Sequence, residues 1–251
     1  MATSNPVFSN EIFTNYAPDY SVSRSTAMTV QGTVGKAFAL LAILSATAIW
    51  SWNASSQDQL QPIVFPASLL GGFILAMITT FRPSVAPWTA PLYAAFEGVF
   101  LGTLSFFIEH RLGKGYPGIA LQAVSMTCGT LFCMLFVYGS GLIRVTDKLR
   151  AGIVAATGAV CLVYLVAMVL SVFSIRVPFL YDASPLGIGI SLLVVGLAAF
   201  NLLLDFDFIE KGARIALPRY MEWYGAFGLM VTLVWLYLEI LRLLTKLQDR
   251  R

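Results

Sequence analysis

Seven apolar runs, each close to 20 residues long, divide this 251-residue chain. Nothing else in it constrains the fold as strongly. An α-helix rises about 1.5 Å per residue, so about 20 apolar residues cross the ~30 Å hydrocarbon core of a bilayer. The runs fall at 34–52, 63–81, 91–108, 119–143, 151–173, 185–206 and 220–244. They predict an all-α polytopic membrane protein with seven transmembrane helices. Charge agrees with this: only 12% of residues are Asp, Glu, Lys or Arg, against about 25% in soluble domains. No run alternates with period two, as the strands of a membrane barrel must.

Residues 1–30 are rich in Ser, Thr, Asn and Pro. They are expected to form a flexible polar tail, with the transmembrane domain over 31–251. No basic segment leads into an apolar stretch within the first 27 residues, so the first run is expected to remain as an anchor. Cys128, Cys133 and Cys161 all lie in apolar runs. With no CxxC spacing among them they predict neither a disulfide framework nor a metal site.

Net charge is +3, and the basic residues lie between the apolar runs. That pattern sets topology; it does not predict nucleic-acid binding, and the lipid bilayer is the expected partner. With a cytoplasmic N-terminus, the cytoplasmic side receives Arg24, Lys36, Arg82, Arg144, Lys148, Arg150, Lys211, Arg214 and Arg219. The other side receives Arg111, Lys114 and Arg176. Nine against three favours that orientation, in a bacterial inner membrane. The tail charges Arg242, Lys246, Arg250 and Arg251 oppose it if the last run crosses fully, and agree if that run is re-entrant. Its length, without proline, favours a full crossing.

Two glycine pairs predict close helix contacts. Gly71-Gly72 lies in the second run, and Gly98 and Gly102 in the third have small-xxx-small spacing. Prolines 83, 87 and 91 mark a tight connection between those runs.

The acids inside apolar runs point to function, because a carboxylate in hydrocarbon is costly. Asp205 and Asp207 are two residues apart on a helix and point to nearly opposite sides. Asn201 and Asp205 are four apart and share a face. Asp207 and Glu210 are expected nearer the headgroups. Asp205 is therefore the candidate buried acid. Glu239 lies deep in the last run, with Arg242 three residues on as an in-helix partner. Glu222, at the start of that run, complements the helix dipole and is read as a structural acid. Glu97 lies two turns into the third run. Two carboxyls brought together titrate as a coupled pair. They would also offer hard oxygens to Ca²⁺, which normally takes six or more. No HExxH, GxSxG, P-loop or paired YD and GxGD motif is present, so no enzyme and no cofactor is expected.

LDFDFIEKG at 204–212 and LVWLYLEILRLL at 233–244 resemble the Bax inhibitor-1 / YccA-like superfamily, the transmembrane Bax-inhibitor-motif family. FRP at 81–83, PLYAAFEGVFLG at 91–102 and the SNPVFS start are similar to its bacterial branch. The resemblance implies seven helices with the last one central. It also implies a pH-sensitive Ca²⁺ leak governed by two aspartates that share a hydrogen bond between the sixth and seventh helices. By position Asp205 matches the first of these, with Asp207 its near rival, and Glu239 matches the second. Together they would hold a transient Ca²⁺. Arg82 is the candidate for the second-helix arginine that pairs with the first aspartate, with Arg242 and Glu97 as further electrostatic partners. The sequence departs from the pattern in two places: the second acid is Glu, and the link between the acids is longer. The alternative reading is a non-conducting modulator that binds a membrane protease or a stress or death regulator, with the N-terminal tail as its handle.

Overall fold

A computed structural model describes residues 27–57, 62–111, 118–173 and 182–250. The expected tail lies outside these up to residue 26, as do Arg24, Lys114 and Arg176. The described residues form seven long helices: α1 (Val30–Ser56), α2 (Val64–Phe81), α3 (Ala86–Arg111), α4 (Ile119–Gly139), α5 (Asp147–Val172), α6 (Pro185–Arg214) and α7 (Met221–Asp249). All seven are long and apolar enough to cross a membrane. α7 is the most enclosed. Its apolar stretch is 72% buried, against 50% for α6 and 17% for α1, α2 and α5. It runs for 29 uninterrupted residues, about 43 Å at the α-helical rise, which favours the full crossing over the re-entrant form.

By packing, the helices divide into two compact units. The first holds α4, α5, α6 as far as Phe206 and α7 from Val231 onward. The second holds α1, α2, α3, the end of α6 and the first turns of α7.

In the second unit the glycines act as the spacing predicts. A Cβ on Gly98 would run into Thr47 Oγ1 and the Leu44 carbonyl oxygen, and one on Gly102 into Ser51 Oγ and the Ala48 carbonyl oxygen. Bare backbone is what lets α3 seat against α1. Gly71 faces the Phe96 ring on α3, and a Cβ on Gly72 would lie 3.0 Å from Glu97 Oε2. Of the three prolines in the connection, Pro83 opens a single 3-10 turn, Pro83–Val85. Pro87 sits in the first turn of α3, where its missing N–H is no loss, and Pro91 lies inside the helix. Thr79 Oγ1 donates to Thr89 Oγ1 across the turn at 2.7 Å.

Helix ends depart from the apolar runs where polar side chains move them. α5 begins four residues before its apolar run because Thr146 caps it, accepting from Leu149 N–H at 3.2 Å. α4 stops at Gly139, short of residue 143, and Gly141 follows at φ +69°. α6 passes its expected end at Phe206 by two turns. Lys211 pairs with Asp207 at 2.8 Å and Arg214 with Glu210 at 2.5 Å. These i,i+4 pairs, with their basic members at the C-terminal end, favour continued helix.

α6 then closes in a Schellman turn. Leu217 N–H donates to Gly212 O (3.1 Å) and Ala216 N–H to Ala213 O (3.2 Å). The left-handed position is taken by Ala216, at φ +54°. An L-residue there is strained by about 1–2 kcal/mol, and glycine returns part of any gain as unfolded-state entropy. Ala216→Gly is therefore expected to stabilise the protein by about 0.5–1 kcal/mol. A thermal melt in detergent should rise by about 2 °C; an unchanged or lower midpoint would show that the turn bears no strain.

Candidate functional site

On α5, α6 and α7 of the first unit, polar side chains recur with a period of seven. On α5 they are Arg150, Thr157 and Tyr164; on α7, Thr232, Glu239 and Lys246. On α6, Ser191 and Asp205 hold the same face two heptads apart, with Asn201 one turn before Asp205. Residues seven apart are two turns apart and drift only ~20° around the helix. Each helix therefore carries one polar stripe. Except for Tyr164, which is half-buried, all of these side chains are buried. Apolar packing of Ile153, Leu197 and Leu204 with Leu149, Val160 and Trp235 encloses part of the same unit.

Hydrogen bonds join the stripes at successive levels. Asn201 Nδ2 donates to Thr157 Oγ1 at 2.9 Å and to Leu197 O at 2.9 Å. Tyr164 O–H donates to Glu239 Oε1 at 2.9 Å. Arg242 donates to the Tyr164 oxygen at 2.6 Å and to both Glu239 oxygens at 3.2 and 3.3 Å. The guanidinium also lies over the Tyr164 ring, 4.9 Å from its centroid. Lys246 Nζ donates to Gly187 O at 3.0 Å and Ser191 Oγ at 2.9 Å.

The Lys246 bonds fix the register of α6 against α7 within this unit. Residue 246 stands level with 187–191, and the helices run antiparallel. Seven residues back along α7, Glu239 stands level with about 194–198. Asp205 lies roughly ten residues further along α6, or ~15 Å at 1.5 Å per residue. By this register Asp205 lies further along α6 than the level of Glu239. Glu239 bonds to Tyr164 and Arg242, and the two acids occupy different levels of the hairpin. On α7 the buried polar side chain closest to the level of Asp205 is Thr232.

The other expected residues fall as follows. Asp205 is fully buried on α6. Asp207 is buried in the second unit and paired with Lys211. Arg82 ends α2 and is exposed. Glu97 is buried on α3 behind Gly72. Glu222 lies in the first turn of α7, as read, and is buried. It does more than complement its own helix. It accepts from Thr29 N–H and O–H, both at 2.9 Å, and pairs with Lys36.

Tyr164, Lys246, Arg150 and Thr232 were missing from the sequence-based site, although the heptad spacing on α5 and α7 is visible in the sequence. Among the described residues, no group of three or more His, Cys, Asp or Glu side chains is placed to hold a metal ion. Chemically, Glu239 has the Arg242 guanidinium against it, and Asp205 is a carboxyl held wholly inside the protein on α6.

A family model described as Bax inhibitor 1 like matches residues 5–249. No curated protein and no solved structure matches the chain.

Proposed function

Since the chain belongs to the Bax inhibitor-1-like family, and its seven apolar helices make it an integral membrane protein, we propose that it is a pH-modulated, Ca²⁺-permeable leak. The observation that carries this reading is Asp205, a wholly buried carboxyl in a membrane-length helix. Such groups are costly to bury and mark ion or proton routes in membrane proteins. The reading keeps both acids of the hairpin but not a proton shared between them. Asp205 answers to pH, and Glu239 is a fixed member of the Tyr164–Arg242 network. Ca²⁺ passes as the permeant ion and is not held as a cofactor. The membrane is the bacterial inner membrane, with the N-terminus cytoplasmic.

Liposomes loaded with a Ca²⁺ dye test the proposal. Flux above that of empty liposomes is expected, changing between about pH 5 and 8. Asp205→Asn should flatten that pH dependence while flux persists. Dependence on pH that survives Asp205→Asn would remove Asp205 from the role. Flux no greater than in empty liposomes at any pH would end the leak reading. It would favour the modulator of a membrane protease or a stress or death regulator, for which deletion of residues 1–27 should abolish partner co-purification.

A further inference from the structure

In the second unit two helix N-termini converge on one carboxylate. Glu222 Oε1 accepts from the backbone N–H and the hydroxyl of Thr29, the N-cap of α1, both at 2.9 Å. The same Thr29 Oγ1 accepts from Gly32 N–H at 2.9 Å, closing the cap. Lys36, one turn further along α1, pairs with Glu222 Oε2 and lies 5.6 Å from the centroid of the Trp223 ring. Glu222 itself sits in the first turn of α7. Its charge therefore meets the positive ends of two helices and one ammonium group.

The chain before α1 is fastened to the turn before α7 in the same place. Met28 N–H donates to Leu217 O at 2.6 Å, and Ala27 and Pro218 form an antiparallel bridge. The buried Met28 thioether fills the space left by two glycines: a Cβ on Gly212 would lie 3.0 Å from its sulfur, and one on Gly225 3.4 Å from its methyl. Gly32 completes the fit, since a Cβ there would run into the Glu222 carboxylate. The turn being held is the strained one that carries Ala216 in the left-handed region.

We propose that Glu222 is the hub of a latch, in which residues 27–36 clasp the α6–α7 turn and fix the start of α7. The bonds share one carboxylate and one backbone pairing, so they make and break together. The position of the segment before α1 and the position of the first turn of α7 become a single variable. A force or a partner acting on the chain ahead of Ala27 is then felt by α7, the helix that carries Thr232 and Glu239. Nothing in the sequence around Glu222 announces this, because its partners lie about 190 residues away.

Disulfide trapping in the full-length protein tests the latch. Antiparallel partners have Cα atoms roughly 4.5–5.5 Å apart, within the range a disulfide spans. Cys128, Cys133 and Cys161 are first replaced by alanine, and Ala27→Cys is combined with Pro218→Cys. Under mild oxidation the pair should cross-link readily. Adding Glu222→Gln, or the charge-neutral Gly32→Ala, should slow cross-linking at least about fivefold, and amide exchange over 215–222 should speed up. Should either variant not fold, Lys36→Met breaks only the ion pair of a partly exposed lysine and should slow cross-linking in the same sense. Cross-linking at the parent rate in the variants that fold overturns the proposal. The test needs no ion flux, so the leak reading can fail without touching it.

Discussion

Leucine at position 102 will keep the protein from folding. Gly102 faces the Ala48 carbonyl and Ser51 Oγ of α1, and Ser51 is fully buried. A backbone carbonyl cannot move aside by changing rotamer, so α1 and α3 must separate to admit the side chain. Overpacking ordinarily costs about 1–3 kcal/mol, and more when the obstacle is rigid. Here the loss is expected above about 3 kcal/mol, a large fraction of the total stability of a domain. Gly102→Leu should yield aggregated protein in detergent, with no monodisperse peak and no cooperative melt. The control is Gly129→Leu in α4, where an added Cβ meets nothing within 4 Å. It makes the same change in an apolar helix and should leave the melt within a few degrees of the parent. Equal behaviour of the two variants would show that the α1–α3 contact is not the reason for glycine.

Removing Arg242 will strand Glu239. The Glu239 side chain is 2% exposed; its hydrogen-bond partners are Tyr164 and Arg242, and the buried Lys246 ammonium adds a weaker, more distant attraction. Taking one member from a buried pair costs about 3–5 kcal/mol when the remaining charge is left uncompensated; here Lys246 still offsets part of the Glu239 charge. The Arg242 side chain is 38% exposed, so solvent screens part of this, and Arg242→Met is expected to destabilise by about 2–3 kcal/mol. The double variant Glu239→Gln with Arg242→Met should recover most of that loss. The amide keeps an acceptor for Tyr164 and carries no charge. Melts of the parent, both single variants and the double variant form a cycle whose coupling measures the pair directly. Full additivity would show that Arg242 and Glu239 are neighbours without a working interaction. The cycle also separates structure from transport. If Asp205 is the pH-responsive acid, the double variant should leave the pH dependence of Ca²⁺ flux intact.

How much of this was legible beforehand varies with the range of the interaction. Both glycine pairs were recognisable as contact faces, because a helix presents residues one and four positions apart in a known geometry. Which helix each would meet was not. Gly98 and Gly102 found α1, whereas Gly71 and Gly72 found α3. The end of α6 was misjudged by following hydropathy alone. Asp207-Lys211 and Glu210-Arg214 are local i,i+4 pairs, and they carry the helix two turns past its apolar stretch. Glu239 was recognised as out of place and Arg242 as its in-helix partner. Tyr164, which completes the network, stands on another helix 75 residues away.

The sequence by itself determined that the chain spans a membrane, how many helices do so, and where the costly acids fall. These follow from run length, composition and helical periodicity, all properties of neighbouring residues. Only the tertiary structure decided what each acid answers to. Glu222 became the meeting point of α1 and α7, Glu239 was taken by Tyr164 and Arg242, and Asp205 was enclosed on a different level from Glu239. A carboxylate in a low-dielectric interior is governed by the few polar groups within hydrogen-bond reach. On three packed helices those groups are chosen by register, which a one-residue shift would change and which the chain fixes only when the helices pack.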